Sequence, residues 1–226
     1  MAANSSPDTV TGPREPETEK GRLVREQYLS IARTALGEST LDYLSLYERY
    51  SQDQPAAQSL DQSVARAALQ AGHGPRQVIQ LLAQGPFTQH QTRQLSPEAR
   101  KAALPGLLQY AQATVEAIQR QRFVDYANTV TGKVWNYPDL YREHIGSDLI
   151  AIQLDQKVAA AALQAGEPAD AVVGLLQQGP YAQFQQDMKQ MQPAMIEKYA
   201  QGTVAQVQEI QALRPRQEQR SPSLER

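Results

Sequence analysis

Apolar residues recur every three or four positions along much of the chain, which is the period of an α-helix with one buried face. Between residues 59 and 71 the apolar positions are Leu60, Val64, Ala67, Ala68 and Ala71. Ser59 and Gln62 have the S-x-x-Q spacing of a capping box, so this helix is predicted to begin at Ser59. Gly72 predicts its end, and Pro75 predicts the first turn of the next helix.

The same apolar periodicity and helix-end signals predict four or five helices in the first half of the chain. A first helix covers about residues 22–35 and stops at Gly37, and a second covers about residues 40–50. The helix that Pro75 opens ends at Gly85-Pro86. A last helix starts at Pro97 or Pro105 and runs through about residue 118.

An internal repeat dominates the chain. Residues 60–91 align without a gap to residues 154–185, and 19 of these 32 positions are identical. The predicted fold is therefore all-α, with two tandem copies of a four-to-five-helix unit and with one pseudo-two-fold bundle as a way to pack them. The predicted boundaries are a disordered tail at 1–21, unit one at 22–117, unit two at 118–212 and a disordered basic tail at 213–226.

Residues that both copies share are assigned to packing. The structural set comprises the turn glycines Gly72 and Gly166 and the apolar anchors Leu81 and Leu175. Tyrosines also persist at equivalent positions, and most are expected to anchor the core with a hydroxyl at its edge. Tyr47 and Tyr141 are kept as candidate partner-binding residues.

Composition narrows the classes of function. The chain has no cysteine, which excludes disulfides and thiolate metal sites and fits a reducing compartment, so we expect a cytoplasmic protein. No apolar run reaches the roughly 18–20 residues of a membrane span, and the first residues lack the apolar stretch of a secretory signal. The formal net charge of −2 argues against a general polyanion binder.

The turn between the two best-matched helices has the spacing of a helix-turn-helix. Its positions are Ala68, Gly72, Val78 and Leu81, followed in the second copy by Ala162, Gly166, Val172 and Leu175. The side chains that this segment could present are Arg76, Gln77, Gln80 and Gln84. The charge of residues 60–91 is +1, whereas that of residues 154–185 is −2, so a DNA-binding regulator using residues 68–81 is the alternative interpretation.

Catalytic and metal-binding signatures are not visible in the sequence. The histidines His73, His90 and His144 lie in unlike contexts, and no pair has the i, i+4 spacing of metal ligands. There is no glycine-rich phosphate loop and no nucleophile elbow. We therefore predict a non-enzymatic protein without a cofactor or a metal.

The interpretation that remains is a helical interaction or adaptor module that binds a protein partner. Glutamine, at about one residue in seven, supplies adaptable hydrogen-bonding faces for such a role. The repeated segment from Asp61 to Gly72, with the later V-x2-L-L and Y-A-x3-V patterns, resembles small helical segments of plasmid-borne relaxase- and primase-type proteins. This resemblance covers only the repeated core, without a catalytic motif, and implies an accessory role in plasmid or mobile-element DNA processing.

Overall fold

The computed structural model describes residues 18–93 and 95–218, and this part of the chain contains eleven α-helices and no β-strand. The all-α prediction is confirmed. The helices, numbered in chain order, are α1 (Glu19–Leu36), α2 (Tyr43–Tyr50), α3 (Gln54–Gln70), α4 (Pro75–Leu82), α5 (Pro86–Arg93), α6 (Pro97–Thr131), α7 (Tyr137–His144), α8 (Asp148–Gln164), α9 (Ala169–Leu176), α10 (Pro180–Asp187) and α11 (Pro193–Glu218). Residues 1–17 and 219–226, the outer parts of the two predicted tails, lie outside the described residues, whereas α1 and α11 reach into the inner parts.

Short polar side chains start the first helices. The Thr18 hydroxyl accepts a hydrogen bond from the Gly21 amide at the start of α1, and Gly37 ends that helix in the left-handed conformation, with a φ of 69°. The predicted start of α3 at Ser59 is wrong. Asp53 caps this helix instead, because its carboxylate accepts from the Ala56 amide, and α3 therefore begins a full turn and more before Ser59.

Two further details differ from the sequence prediction. Gly85-Pro86 ends α4, but Pro86 also opens α5, an additional helix in each half, because a proline fits the first turn of a helix. The last helix of the first unit, α6, does not stop near residue 118. It continues as one helix of 35 residues to Thr131 and ends at Gly132, which has a φ of 66°.

Four helices of the second half match four helices of the first half in order and in length. The helices α7, α8, α9 and α10 each begin and end 94 residues after α2, α3, α4 and α5. The same neighbours also pack together in both halves: α3 lies against α1, α4 and α6, while α8 lies against α6, α9 and α11. In the first half α6 is the last helix of the bundle, and in the second half it is the first.

Each half has its own hydrophobic core. The first core surrounds α3 and includes Tyr28, Leu46, Leu69, Leu81 and Leu82. The second core surrounds α8 and includes Phe123, Leu140, Val158, Leu175 and Leu176. Both cores use α6, because its residues up to Ile118 belong to the first cluster and those from Phe123 onward belong to the second.

The predicted boundary between units, at residues 117 and 118, therefore falls inside a continuous helix. The buried residues on either side of it are Val115, Ile118, Gln119, Arg122 and Phe123. Because both cores hold the same helix, the two halves share a rigid element rather than a flexible linker. None of the helices in residues 18–93 and 95–218 has the length and apolar character needed to cross a bilayer.

Candidate functional site

The residues of the helix-turn-helix-like segment are mostly buried. Ala68 and Val78 are fully buried, Leu81 is 1% exposed, and Gly72 has a φ of 89°. In the second half Ala162 and Leu175 are equally buried, and Gly166 has a φ of 86°. A left-handed glycine at these turns is favoured because other residues rarely adopt this conformation. The shared residues therefore build the helix pairs.

The residues predicted to bind a partner do not form one site. Arg76 and Gln77 stand on the first turn of α4, where the Gln77 amide oxygen accepts from the Gly74 backbone amide. Gln80 is exposed on the same helix, and the Gln84 side chain accepts a hydrogen bond from Gln89. The Tyr47 hydroxyl lies 3.2 Å from His90 Nδ1 on α5.

Tyr141 lies on the corresponding surface of the second half, beside the Tyr137 ring at 6.2 Å between centroids. The three histidines lie in different environments. His73 and His90 are half-buried, whereas His144 is buried, with its Nδ1 2.8 Å from the Leu140 carbonyl oxygen. Among the residues that the structure describes, no group of three or more potential metal ligands comes together.

A buried aspartate lies in the middle of each half, Asp61 in the first and Asp155 in the second. Asp61 on α3 is fully buried and accepts hydrogen bonds from the Tyr28 hydroxyl at 2.7 Å and the Tyr110 hydroxyl at 2.9 Å. The backbone of Gly85 passes directly above, since a Cβ there would lie 2.6 Å from Asp61 Oδ1. The carboxylate thus ties α1, α3 and α6 together at the start of α5.

Asp155 is the equivalent residue of α8, but it has fewer partners. The Tyr199 hydroxyl donates to its Oδ2 at 2.7 Å, while Phe123 packs beside it on α6, so its Oδ1 has no hydrogen-bond partner among the described residues. Burial raises the pKa of Asp61 to about 6 and the pKa of Asp155 to about 8, against a usual value of 3.8. The difference follows the number of tyrosine donors, because hydrogen bonds to the charged form offset part of the desolvation.

These two groups predict that the protein becomes less stable as the pH rises. A carboxyl whose folded pKa is raised binds a proton more tightly in the folded state, so its stabilising effect is complete below the unfolded pKa and is lost as the pH rises through the folded pKa. Of these two carboxyls, Asp61 lowers the free energy of unfolding as the pH rises from about 4 to 6, whereas only Asp155 still lowers it between pH 6.5 and 8.

We expect the free energy of unfolding, measured in urea, to fall between pH 6.5 and 8 by up to about 1.4 kcal/mol for each pH unit. Asp155→Asn should flatten this part of the curve, because an amide does not titrate. Asp61→Asn is the matched control and should leave the slope between pH 6.5 and 8 in place. An unchanged slope in Asp155→Asn would show that this carboxyl is already ionised at pH 6.5.

A second polar cluster distinguishes the two halves. Arg122 on α6 forms an ion pair with Glu167 in the turn before α9, and the Tyr126 hydroxyl donates to the same carboxylate oxygen at 3.0 Å. The side chains of Arg122 and Glu167 are only 9% and 13% exposed. The pair is structural, since it fastens the turn to α6.

The two halves enclose a cleft between α4 and α9, with α6 as its floor. We call it the junction cleft and define it by Pro75, Arg76, Ile79, Gln112, Val115, Glu116, Gln119, Gly174, Gln177, Gln178, Gln186, Pro193, Ile196 and Glu197. Its volume is about 410 Å³. A shallower depression of about 320 Å³ continues it past Gln77 and Asp170. This size falls within the range of clefts that bind ligands, which occur preferentially between structural units.

Gln119 lies at the floor of the junction cleft. Its side chain is 2% exposed, and neither its amide oxygen nor its amide nitrogen has a hydrogen-bond partner among the described residues. Gly174 covers it from α9: a Cβ at this position would lie 3.0 Å from Gln119 Nε2 and 2.7 Å from Pro75 Cγ. The first half has Gln80 where the second has Gly174, so the glycine allows α9 to approach α4 and α6.

Unpaired buried amides are uncommon in proteins, because each unsatisfied donor or acceptor costs about 1–3 kcal/mol. Gln119 therefore marks the position in the cleft where hydrogen bonds to a ligand's own donor and acceptor would contribute most to the binding free energy.

The charge at the rim of the junction cleft is negative. Three carboxylates, those of Glu116, Asp170 and Glu197, line it together with one guanidinium, that of Arg76. The Arg76 guanidinium is 3.9 Å from the Glu197 carboxylate, and the side chain is 91% exposed.

Comparison with known proteins adds no identity. No protein-family model, no curated protein and no solved structure matches this chain. The site is therefore described by its geometry alone.

The sequence alone does not identify Gln119 as a buried residue. Gln119 and Gln208 occupy the same position in the repeated segments 110–119 and 199–208. Gln208 is exposed on α11, whereas Gln119 is buried. A repeat alone could not distinguish them, because only the packing of the second half onto α6 covers Gln119.

Proposed function

We propose that the chain is a non-enzymatic helical adaptor that binds a protein partner in the junction cleft. In this proposal the halves are two copies of one six-helix unit, and the last helix of the first copy continues as the first helix of the second. The observation that carries the proposal is Gln119, a buried amide without a partner at the floor of a cleft between the copies.

The duplication explains why the cleft lies where it does. Shared residues such as Leu81 and Leu175 fill the cores, so they leave the outer surface free to differ between the copies. The junction is the place where differing surfaces meet. Gln119 is buried there, whereas its counterpart Gln208 on α11 is exposed.

Duplex DNA binding by α4 is the second candidate. It is favoured by Arg76, Gln77 and Gln80, which are exposed on the helix after the turn. Arg76 is engaged by Glu197, however, and Glu116 and Asp170 line the adjoining surface, so phosphates would meet repulsion there. An accessory role in mobile-element DNA processing is likewise a proposal, which the neighbouring genes would test.

Site-specific photocrosslinking tests the proposal. A benzoyl-phenylalanine placed at Gln177, on the wall of the cleft, should capture a discrete protein in the cells that make this chain. The matched control is the same replacement at Ala83, the equivalent position of the first half, which does not line the cleft. The captured protein, identified by mass spectrometry and purified, should bind the chain in isolation.

Three results would count against a protein partner in this cleft. They are the absence of a crosslink from position 177, the same products from positions 177 and 83, and a crosslinked product that nuclease digestion removes. The third would favour the DNA-binding alternative.

A further inference from the structure

We infer that the junction cleft takes an extended peptide segment that carries a lysine or arginine side chain. This inference rests on the proposed function, because it names the chemistry of the partner that the cleft would hold. Three features of the cleft support it: the amide on its floor, the charge at its rim and the apolar walls between them.

The Gln119 amide matches a peptide group. A primary amide offers one acceptor oxygen and donor hydrogens on one nitrogen, while a residue in extended conformation offers a free N–H and a free C=O on the same side of the chain. Both polar atoms of Gln119 lack partners among the described residues and lie beneath Gly174, so a ligand that moves α9 slightly aside can bond to them without breaking an old hydrogen bond. A bound residue in extended conformation would satisfy both atoms, because its own N–H and C=O point to the same side of the chain.

The charged residues at the rim of the junction cleft favour a cationic ligand. Glu116, Asp170 and Glu197 supply three carboxylates, and Arg76 supplies one guanidinium that is close only to Glu197. Such an excess of negative charge attracts a basic side chain and disfavours phosphate or carboxylate groups. An acidic peptide or a nucleic acid strand is therefore the wrong class of ligand for this cleft.

The walls between floor and rim are apolar. Pro75 and Ile79 come from the first half, while Pro193 and Ile196 come from α11. Lysine and arginine bury their aliphatic stems against such surfaces and keep the charged end in polar surroundings. The lining thus supplies an amide, apolar side chains and carboxylates, which suit the main chain, stem and charged end of one basic residue.

Nuclear magnetic resonance of the full, 15N-labelled chain tests the inference. The probe is N-acetyl-lysine N-methylamide, which has two peptide groups and one ammonium group, and the control is the corresponding glutamate compound. We expect the lysine compound to shift the side-chain NH2 resonances of Gln119 in a saturable manner, and at least fivefold higher concentrations of the glutamate compound to be needed. The resonances of Gln208 should not move.

Variants separate binding from folding. Gln119→Leu should weaken binding of the lysine compound at least tenfold while the melting temperature stays the same or rises, because the change removes an unsatisfied buried amide. Gln208→Leu is the matched control and should bind like the wild type. Glu116→Gln with Asp170→Asn, which leaves Gln119 intact, should lower the affinity about threefold and reduce its dependence on salt.

The inference is overturned if the Gln119 resonances do not shift up to the solubility limit of the lysine compound, or if the glutamate compound or a short oligothymidylate binds there as well as the lysine compound. If the crosslink from position 177 still identifies a protein under that outcome, the proposed function stands and only the chemistry assigned to its partner is wrong. If the probe binds but no protein is captured, the adaptor role is wrong and the ligand specificity stands.

Discussion

Leu175→Asp should leave the chain without a stable folded state. Leu175 is 1% exposed in the second core and belongs to a cluster of apolar residues that includes Val158, Val172 and Leu176. The change removes about 2–5 kcal/mol of apolar packing, and the introduced carboxylate must either ionise in an apolar site or take up a proton. Together these costs match the roughly 5–15 kcal/mol that stabilises a typical domain.

Circular dichroism and urea unfolding measure this effect. Leu149→Asp is the matched control, because Leu149 is 65% exposed near the start of α8 and should tolerate the same substitution. Leu81→Asp, at the equivalent buried position of the first core, should behave like Leu175→Asp. A Leu175→Asp protein that is soluble, fully helical and cooperative in unfolding would contradict our assignment of the core.

Glu167→Ala should lower the free energy of unfolding by about 3–5 kcal/mol. The variant leaves the Arg122 guanidinium buried against α6 with no carboxylate beside it, and it also removes the acceptor of the Tyr126 hydroxyl. A buried charge without a partner is far more costly than a broken pair at the surface. Urea unfolding at a fixed pH measures the loss.

Two comparisons make this prediction specific. Glu26→Ala breaks the exposed pair with Arg22 and should cost less than about 1 kcal/mol. The double variant Arg122→Met, Glu167→Leu should come close to the wild type, because apolar residues can replace a buried ion pair without loss. If Glu167→Ala costs no more than Glu26→Ala, the Arg122–Glu167 pair is solvated and does not fasten the turn.

Local signals in the sequence predicted much of the fold. The helical period identified the buried faces, and the glycines Gly37, Gly72 and Gly166 marked helix ends where the backbone has positive φ. The start of α3 was misplaced because Ser59 and Gln62 resemble a capping box, whereas Asp53 provides the actual cap. Two candidate caps separated by six residues cannot be ranked without the packing of the first turn.

The polar residues of the interior were the main omission. Asp61 lies on the same face of α3 as Leu60, Val64 and Ala68, so its helical position alone could have indicated burial. The buried face predicted for α3 included Ala71, which is wrong because Ala71 is exposed. Aspartate usually lies at the surface, but two tyrosine hydroxyls from distant helices satisfy Asp61 here.

The long-range features could not be read from the repeat. Each repeated segment predicts its own bundle, but the continuity of α6 across the predicted unit boundary and the burial of Gln119 depend on how one half of the chain packs against the other. The Arg122–Glu167 pair is likewise specific to the second half, because the position of the first half that is equivalent to Glu167 is occupied by His73. Contacts between distant segments therefore determined the candidate site.

Amide hydrogen exchange of residues 115–124 tests most directly whether α6 joins the halves into one body with a cleft of fixed walls. The residues on both sides of the predicted unit boundary are buried, so their amides should exchange as slowly as those in the middle of α3 and α8. Exchange in this segment as fast as in the turn at residues 145–147 would mean that two independent units are joined by a flexible linker, and the junction cleft would not exist as a site.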